Sequence, residues 1–441
     1  MKSLRKLSSL AFLAFLATPS FAQEWQPQAE DVLPSGYGAF GISVLDENTV
    51  WASCFDFGDG QPLPDHVPYV MKTTNGGQTW TAHEVTEATG RWTFDIVGID
   101  ENTAWISTID LGAGAGQGLF KTEDGGETWT EKFPSAAGGV WLRFFDELEG
   151  ICINRDFMAR TTDGGETWDP VSALNIPEFL EDEYTLILSG NNSLCAVGDR
   201  IYFGTNMGRI YRSKNRGATW EVLDPGFAAT DVIYSVSFID SLHGIAVAPQ
   251  TLNSKIARTY DGGETWDVFS TPAFQAYFQN VAYVPGTDST FVGVSTSGST
   301  FGSFYSKDFG KTWEEIDSEI PYRAIGFANP EIGWVSRGFG GFGQPTMYKW
   351  DDDLFVSARE PGLEASISIS PNPFAGDLYI QSPNAAMQSI SLYDLSGSLV
   401  GAVSLDGLSD YQWTLQKLPK GFYLMQIHTD KGMLSRKLVK N

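Results

Sequence analysis

An eight-residue phrase recurs six times in this chain and restricts its fold more than any other feature. It first reads Thr73-Thr74-Asn75-Gly76-Gly77-Gln78-Thr79-Trp80, and it returns in the segments ending at Trp129, Trp168, Trp220, Trp266 and Trp313. Every copy has Ser or Thr first, Asp or Asn third, Gly fifth and Thr-Trp last. A short Asp or Asn side chain accepts hydrogen bonds from backbone N–H groups just ahead of it, while Gly takes the positive φ of a tight turn. The phrase therefore predicts a hairpin turn fixed by side chain and backbone together. Thr-Trp opens the next strand, where the indole covers one end of the sheet and keeps its N–H for an acceptor. The fourth position is less restricted, since Arg216 and Phe309 stand there in two copies.

Each phrase belongs to a longer unit. Two strand-like runs joined by a polar turn precede it, as in Phe40 to Leu45 and Thr49 to Cys54 around Asp46-Glu47-Asn48, and again in Phe94 to Ile99 and Thr103 to Ser107. Such pairs occur seven times, and successive phrase-ending tryptophans lie 49, 39, 52, 46 and 47 residues apart. Four strands at this period predict propeller blades. The seventh unit breaks off at Trp350-Asp351-Asp352-Asp353 without Gly or Thr-Trp, while Glu24-Trp25-Gln26-Pro27 matches Thr167-Trp168-Asp169-Pro170. The N-terminal strand is therefore expected to complete the last blade and close a seven-bladed ring over 23–353, leaving no open edge.

The phrases resemble the Asp-boxes of sialidase-like (BNR) and photosystem II assembly-factor-like β-propellers. In that family the box is a structural turn, which implies turn-holding roles for Asn75, Asp124, Asp163, Asn215, Asp261 and Asp308. After a linker over 354–365, the segment 366–441 changes character. It begins Ser366-Ile367-Ser368-Ile369-Ser370-Pro371-Asn372-Pro373-Phe374 and runs through Leu418-Pro419-Lys420-Gly421-Phe422-Tyr423 to Lys437-Leu438-Val439-Lys440. Alternating strands with Pro, Gly and Asn turns predict a small Ig-like β-sandwich. This tail resembles the C-terminal sorting domain of the type IX secretion system of Bacteroidota. The resemblance implies the secretion machinery as a partner and release or attachment at the cell surface.

The start agrees with export. Lys2, Arg5 and Lys6 precede an apolar run from Leu7 to Ala17, and Ser20-Phe21-Ala22 precedes Gln23, so residues 1–22 read as a secretory signal peptide. Beyond it no stretch is long and apolar enough to span a bilayer as a helix. Cleavage would remove three of 29 basic residues and leave 26 against 54 acidic ones, a formal charge of −28. From Leu363 onward there are six of each sign, so the whole deficit lies in the repeats. Such a surface repels nucleic acid and other polyanions and favours neutral or cationic partners. Cys54, Cys152 and Cys195 each lie in an apolar run and read as small buried hydrophobes. Four scattered histidines, with no Cys/His spacing of a zinc site, lead us to expect neither metal nor cofactor.

In a four-stranded antiparallel blade the boxes share one end with the short Asp-Glu-Asn turns. The other end carries the longer loops: Asp56 to Pro68, Asp110 to Gly118, Arg337 to Pro345, and links near Trp92, Trp141, Asn175 to Tyr184, Phe274 to Phe278 and Tyr322. Long loops on a rigid ring are a usual place for recognition. Candidate ligand contacts there are Arg91, Trp92, Trp141, Arg143, Tyr184, Tyr277, Tyr322, Arg323 and Arg337. The sialidase resemblance implies an arginine cluster, a Tyr–acid pair and an acid–base Asp, but the chain lacks the Arg-Ile-Pro motif of those enzymes. No catalytic residue is assigned. The sequence favours a secreted or surface-attached propeller that binds a glycan or protein through its loop end; a sialidase-like glycoside hydrolase and a scaffold for a protein complex are the alternatives.

Overall fold

The computed structural model describes residues 25–56, 66–110, 116–135, 141–154, 157–185, 191–250, 253–271, 278–296, 301–337, 344–352, 354–355, 367–393, 399–430 and 432–441. The proposed signal peptide, most of the linker and Tyr277 lie outside them. The repeats form seven four-stranded antiparallel sheets. The first blade contains Tyr37–Val44, Val50–Asp56, Tyr69–Thr73 and Thr81–Glu84, numbered outward from the axis. The seventh contains Tyr322–Phe327, Ile332–Arg337 and Met347–Asp351, and its outer strand is Trp25–Gln28, with Trp25 opposite Trp350. Trp25 packs on Tyr322, Phe327 and Trp350, and its indole N–H donates to Ser303 Oγ of the sixth blade at 2.9 Å. The N-terminal strand thereby ties the last blade to its neighbour as well as completing it.

The boxes are built as their chemistry requires. In the third blade Thr161 Oγ accepts from Gly165 N at 2.8 Å, and Asp163 accepts from Thr167 N at 2.9 Å and from Thr167 Oγ at 2.6 Å. The fifth-position Gly has positive φ in every copy, from 77° at Gly310 to 99° at Gly126. A second constraint comes from the preceding blade. A Cβ on Gly165 would stand 2.2 Å from Trp105 Cζ2, and one on Gly217 would stand 2.2 Å from Ile151 Cδ1. The fourth position is also left-handed, with φ 54° at Arg216 and 60° at Phe309. Such residues carry strain of about 1–2 kcal/mol, offset here by ion pairs of Arg216 with Asp199, Asp146 and Glu149 and by burial of Phe309.

The inner strands are joined by polar contacts around the axis. Asp95 of the second blade receives Leu142 N and the Arg143 guanidinium of the third, and Arg143 reaches Leu194 O of the fourth. The short turn Asn191–Ser193 crosses the axis, with Asn192 Nδ2 donating to Val281 O at 2.8 Å and to Ile325 O at 3.3 Å. Cys54 and Cys152 are buried and Cys195 is half-buried; all three are free thiols whose pKa burial raises.

The tail is a β-sandwich. Ser368–Ser370, Asp377–Gln381 and Asp410–Thr414 form one sheet; Leu399–Leu408, Met387–Tyr393, Gly421–Thr429 and Gly432–Lys440 form the other. Phe374, Leu378, Ile380, Ile390, Leu392, Met425 and Leu438 fill the core between them.

Candidate functional site

The loop end separates the predicted residues into two groups. Trp141 is 2 % exposed and tilts onto Phe94 at 4.7 Å, and Tyr322 is 1 % exposed within the seventh blade. Arg143 braces the ring through Asp95, which is fully buried. Burial raises the Asp95 carboxyl, while Arg143 and the Leu142 and Ile96 N–H groups act in the other direction. These three side chains are structural parts of the inner wall. Arg323 lies half-buried 4.0 Å over the Phe40 ring and links the seventh blade to the first; burial lowers its pKa to about 10.

The second group lies nearer the surface. Arg91 pairs with Glu131 at 2.9 Å and lies over Phe120. Trp92 is half-buried and meets Phe55 edge-on at 4.2 Å. Tyr184 is 40 % exposed, and Arg337 donates to Gln344 at 2.9 Å. Tyr322 and Arg337 face each other across neighbouring strands, so the fold brings these two together.

Sequence reasoning missed the surroundings of Trp92. Tyr37 stacks on His66 at 5.6 Å and meets Tyr69 edge-on at 4.9 Å, and its hydroxyl donates to Val67 O at 2.9 Å. Asp56 lies 3.9 Å from His66, and Tyr69 donates to Glu84 at 2.6 Å. Burial lowers the His66 pKa against the pull of Asp56; burial and Glu84 push Tyr69 up to about 12. The result is an aromatic platform at the first and second blades, edged by two carboxylates. Tyr37, Tyr69 and Trp92 each start an inner or a third strand, a positional signal that composition alone does not rank, and His66 joins them from the loop before Tyr69.

The chemistry available in the seventh blade is limited. Tyr322 lies beside Asp317, whose carboxyl burial raises, and burial together with Asp317 pushes the Tyr322 phenol far above its usual range. A tyrosine nucleophile needs the opposite shift. A cleft of about 1040 Å³ lies at the box end, where Phe144, Phe145, Arg216 and Tyr283 face Tyr393 and Tyr423 of the tail.

The chain is thus an Asp-box β-propeller followed by a sorting tail of the type IX secretion system. The family model described as secretion system C-terminal sorting domain matches residues 368–441, and that described as sortilin, neurotensin receptor 3, matches residues 208–331. No curated protein matches the chain. Among solved structures it is similar to YCF48 bound to D1 peptide, with 17 % identity, 75 % of this chain and 98 % of that one covered, and a TM-score of 0.52. It is also similar to YCF48 from Cyanidioschyzon merolae (14 % identity, 74 % and 98 % covered, TM-score 0.50) and to U3-55K (9 %, 74 % and 100 %, 0.52). At these identities the likeness is one of fold. The tail implies export by type IX secretion, and among the described residues no helix is long and apolar enough to cross a membrane.

Proposed function

We propose that this is a secreted or cell-surface binding protein whose propeller takes a protein or glycan ligand at the loop end, after export directed by residues 1–22 and by the tail. The observation that carries the reading is the platform of Tyr37, Tyr69 and Trp92, half-buried and flanked by Asp56 and Glu84. Aromatic faces stack on sugars and on apolar or cationic side chains. Flanking carboxylates and the acidic repeat region favour neutral or basic ligands over anionic ones. Arg91 borders this surface and Arg337 adds a polar group in the seventh blade, next to the first, whereas Tyr184 stands apart against Asn206 of the fourth blade.

A sialidase-like hydrolase is the weaker reading, because its Tyr–acid pair would have to be Tyr322 and Asp317, both shifted toward their protonated forms. A scaffold for a protein complex is the protein-ligand form of the main reading, and the peptide-bound YCF48 shares its fold. The test is a glycan array and a peptide array probed with the mature chain from Gln23 to Asn441, with the printed sugars checked for cleavage. Binding to intact ligands that Trp92→Ala weakens supports the proposal. Release of a terminal sugar, or binding insensitive to Trp92→Ala, Tyr37→Ala and Tyr69→Ala, overturns it.

A further inference from the structure

Four inner turns share a second motif at the box end. Asp46 accepts from Asn48 N and Thr49 N, Asp100 from Asn102 N and Thr103 N, and Asp146 from Leu148 N and Glu149 N. The fifth blade keeps the motif, with Asp240 accepting from Leu242 N at 2.7 Å and from His243 N at 2.8 Å. The fourth residue of that turn is now an imidazole, and it reaches the tail. His243 Nδ1 lies 2.9 Å from both Asp240 oxygens, its Nε2 lies 2.6 Å from Ser389 Oγ, and its ring stacks on His428 with centroids 3.9 Å apart and planes inclined by 23°. All four side chains are buried.

One carboxylate therefore serves two stacked imidazoles. On the propeller side, Tyr260 and Phe309 present edges to His243, Tyr283 senses Asp240, and Arg200 is occupied by Ser241 O. On the tail side, Ser389 is uncharged and the Tyr393 phenol also faces Asp240. His428 Nε2 is buried 3.8 Å from Asp240 Oδ2 and has no hydrogen-bond partner among the described residues. A proton there would place a positive charge in a buried site, face to face with a second imidazole, while the neighbouring Asp240 carboxylate is already engaged by His243. Burial would raise Asp240, but His243 and the turn N–H groups hold its carboxyl far below the usual range, so the anion stays in place.

Two other readings fail on geometry. An ion shared by His243 and His428 must lie in both ring planes, and planes stacked at 23° converge well beyond a metal–nitrogen bond of about 2.0–2.1 Å. Asp240, His243 and Ser389 have the connectivity of a hydrolase relay, but Ser389 is fully buried and no substrate carbonyl can reach it.

We propose that this clasp holds the sorting tail against the fifth blade only while His428 is uncharged, so that mild acid releases the tail from the propeller. The sign follows from linkage. Burial, then the neighbouring His243, lowers the docked His428 pKa to about 3, while a released histidine titrates near 6.5. The docked form binds fewer protons, so docking is strongest above about pH 6.5 and weakens by up to about tenfold per pH unit below it. Release would also open the cleft beside the clasp and expose Phe144 and Phe145.

The experiment is a distance measurement between spin labels on the full chain, at Leu148→Cys in the third blade and Leu408→Cys in the tail, both exposed in the parent. We expect one narrow distance at pH 7.5, a longer and broader one growing reversibly from pH 6.5 to 4.5 with unchanged far-UV circular dichroism, and loss of that response in His428→Gln. A distance that holds to pH 4.5, the parent response in H428Q, or opening by EDTA at pH 7.5 overturns the proposal. Histidine-selective NMR supplies a readout independent of the variant, because the chain has four histidines. His428 should stay neutral in the docked population well below pH 6; titration near 6.5 while docked also overturns it.

Discussion

The two ends of the propeller use the same strands for different ends. At the box end, Thr161 and Asp163 close their turn by hydrogen bonds within eight residues, and the preceding blade packs against Gly165. At the loop end, Tyr37, His66, Tyr69 and Trp92 come from two blades and meet through aromatic contacts. A turn satisfied by its own residues can be repeated around a ring, whereas a surface assembled from neighbours differs at each junction. The proposed recognition surface therefore lies where the repeat is weakest. Among the inner turns that keep the Asp motif, the fifth departs from its siblings at the residue that touches the tail.

The comparison would break first at Arg143. If it is a brace and not a ligand contact, Arg143→Ala should leave Asp95 buried without its cation and destabilise the propeller by about 3–5 kcal/mol in urea unfolding. Full stability with lost ligand binding would return Arg143 to the binding surface. Next comes Gly165→Ala, where positive φ and the approach of Trp105 combine. The expected cost is about 2–4 kcal/mol, read as a lower Tm with ligand affinity unchanged below the transition.

Trp92→Ala should show the opposite balance, with at least about a tenfold loss of affinity (~1.4 kcal/mol) and about 1 kcal/mol or less of stability from its contact with Phe55. A smaller effect concerns acid. The box carboxyls of Asp124 and Asp163 are lowered to about 2, first by their bonds from Thr128 and Thr167. Their contribution is complete above the unfolded value near 3.9 and is lost as pH falls toward 2. The double variant Asp124→Asn, Asp163→Asn, which copies the Asn75 and Asn215 boxes, should flatten that acid limb of the unfolding curve. An unchanged limb would mean that other carboxylates set it.

Much of the architecture was legible because it is local and repeated. The Asp-box carries its own hydrogen-bond partners within eight residues, and six copies at blade spacing gave the ring. The sequence places Trp141 and Tyr322 on the loop surface because an aromatic at a strand start looks the same whether it faces solvent or its neighbour. Their burial depends on Phe94 and on Trp25, residues from another strand and from the far end of the chain. Arg143 misled for a similar reason: its partner Asp95 is 48 residues away, and a charged pair in an inner wall leaves no periodic mark.

By itself the sequence determined the turns, the blade period, the need for a closing strand and the change to a sorting tail, since each rests on short-range hydrogen bonding or on a pattern of strand length. Tertiary structure alone decided the second constraint on the fifth box Gly, which rim aromatics stay near solvent, and that His243 meets His428. Those outcomes depend on how neighbouring blades and the two domains approach each other. That approach is fixed by packing between residues far apart in the chain.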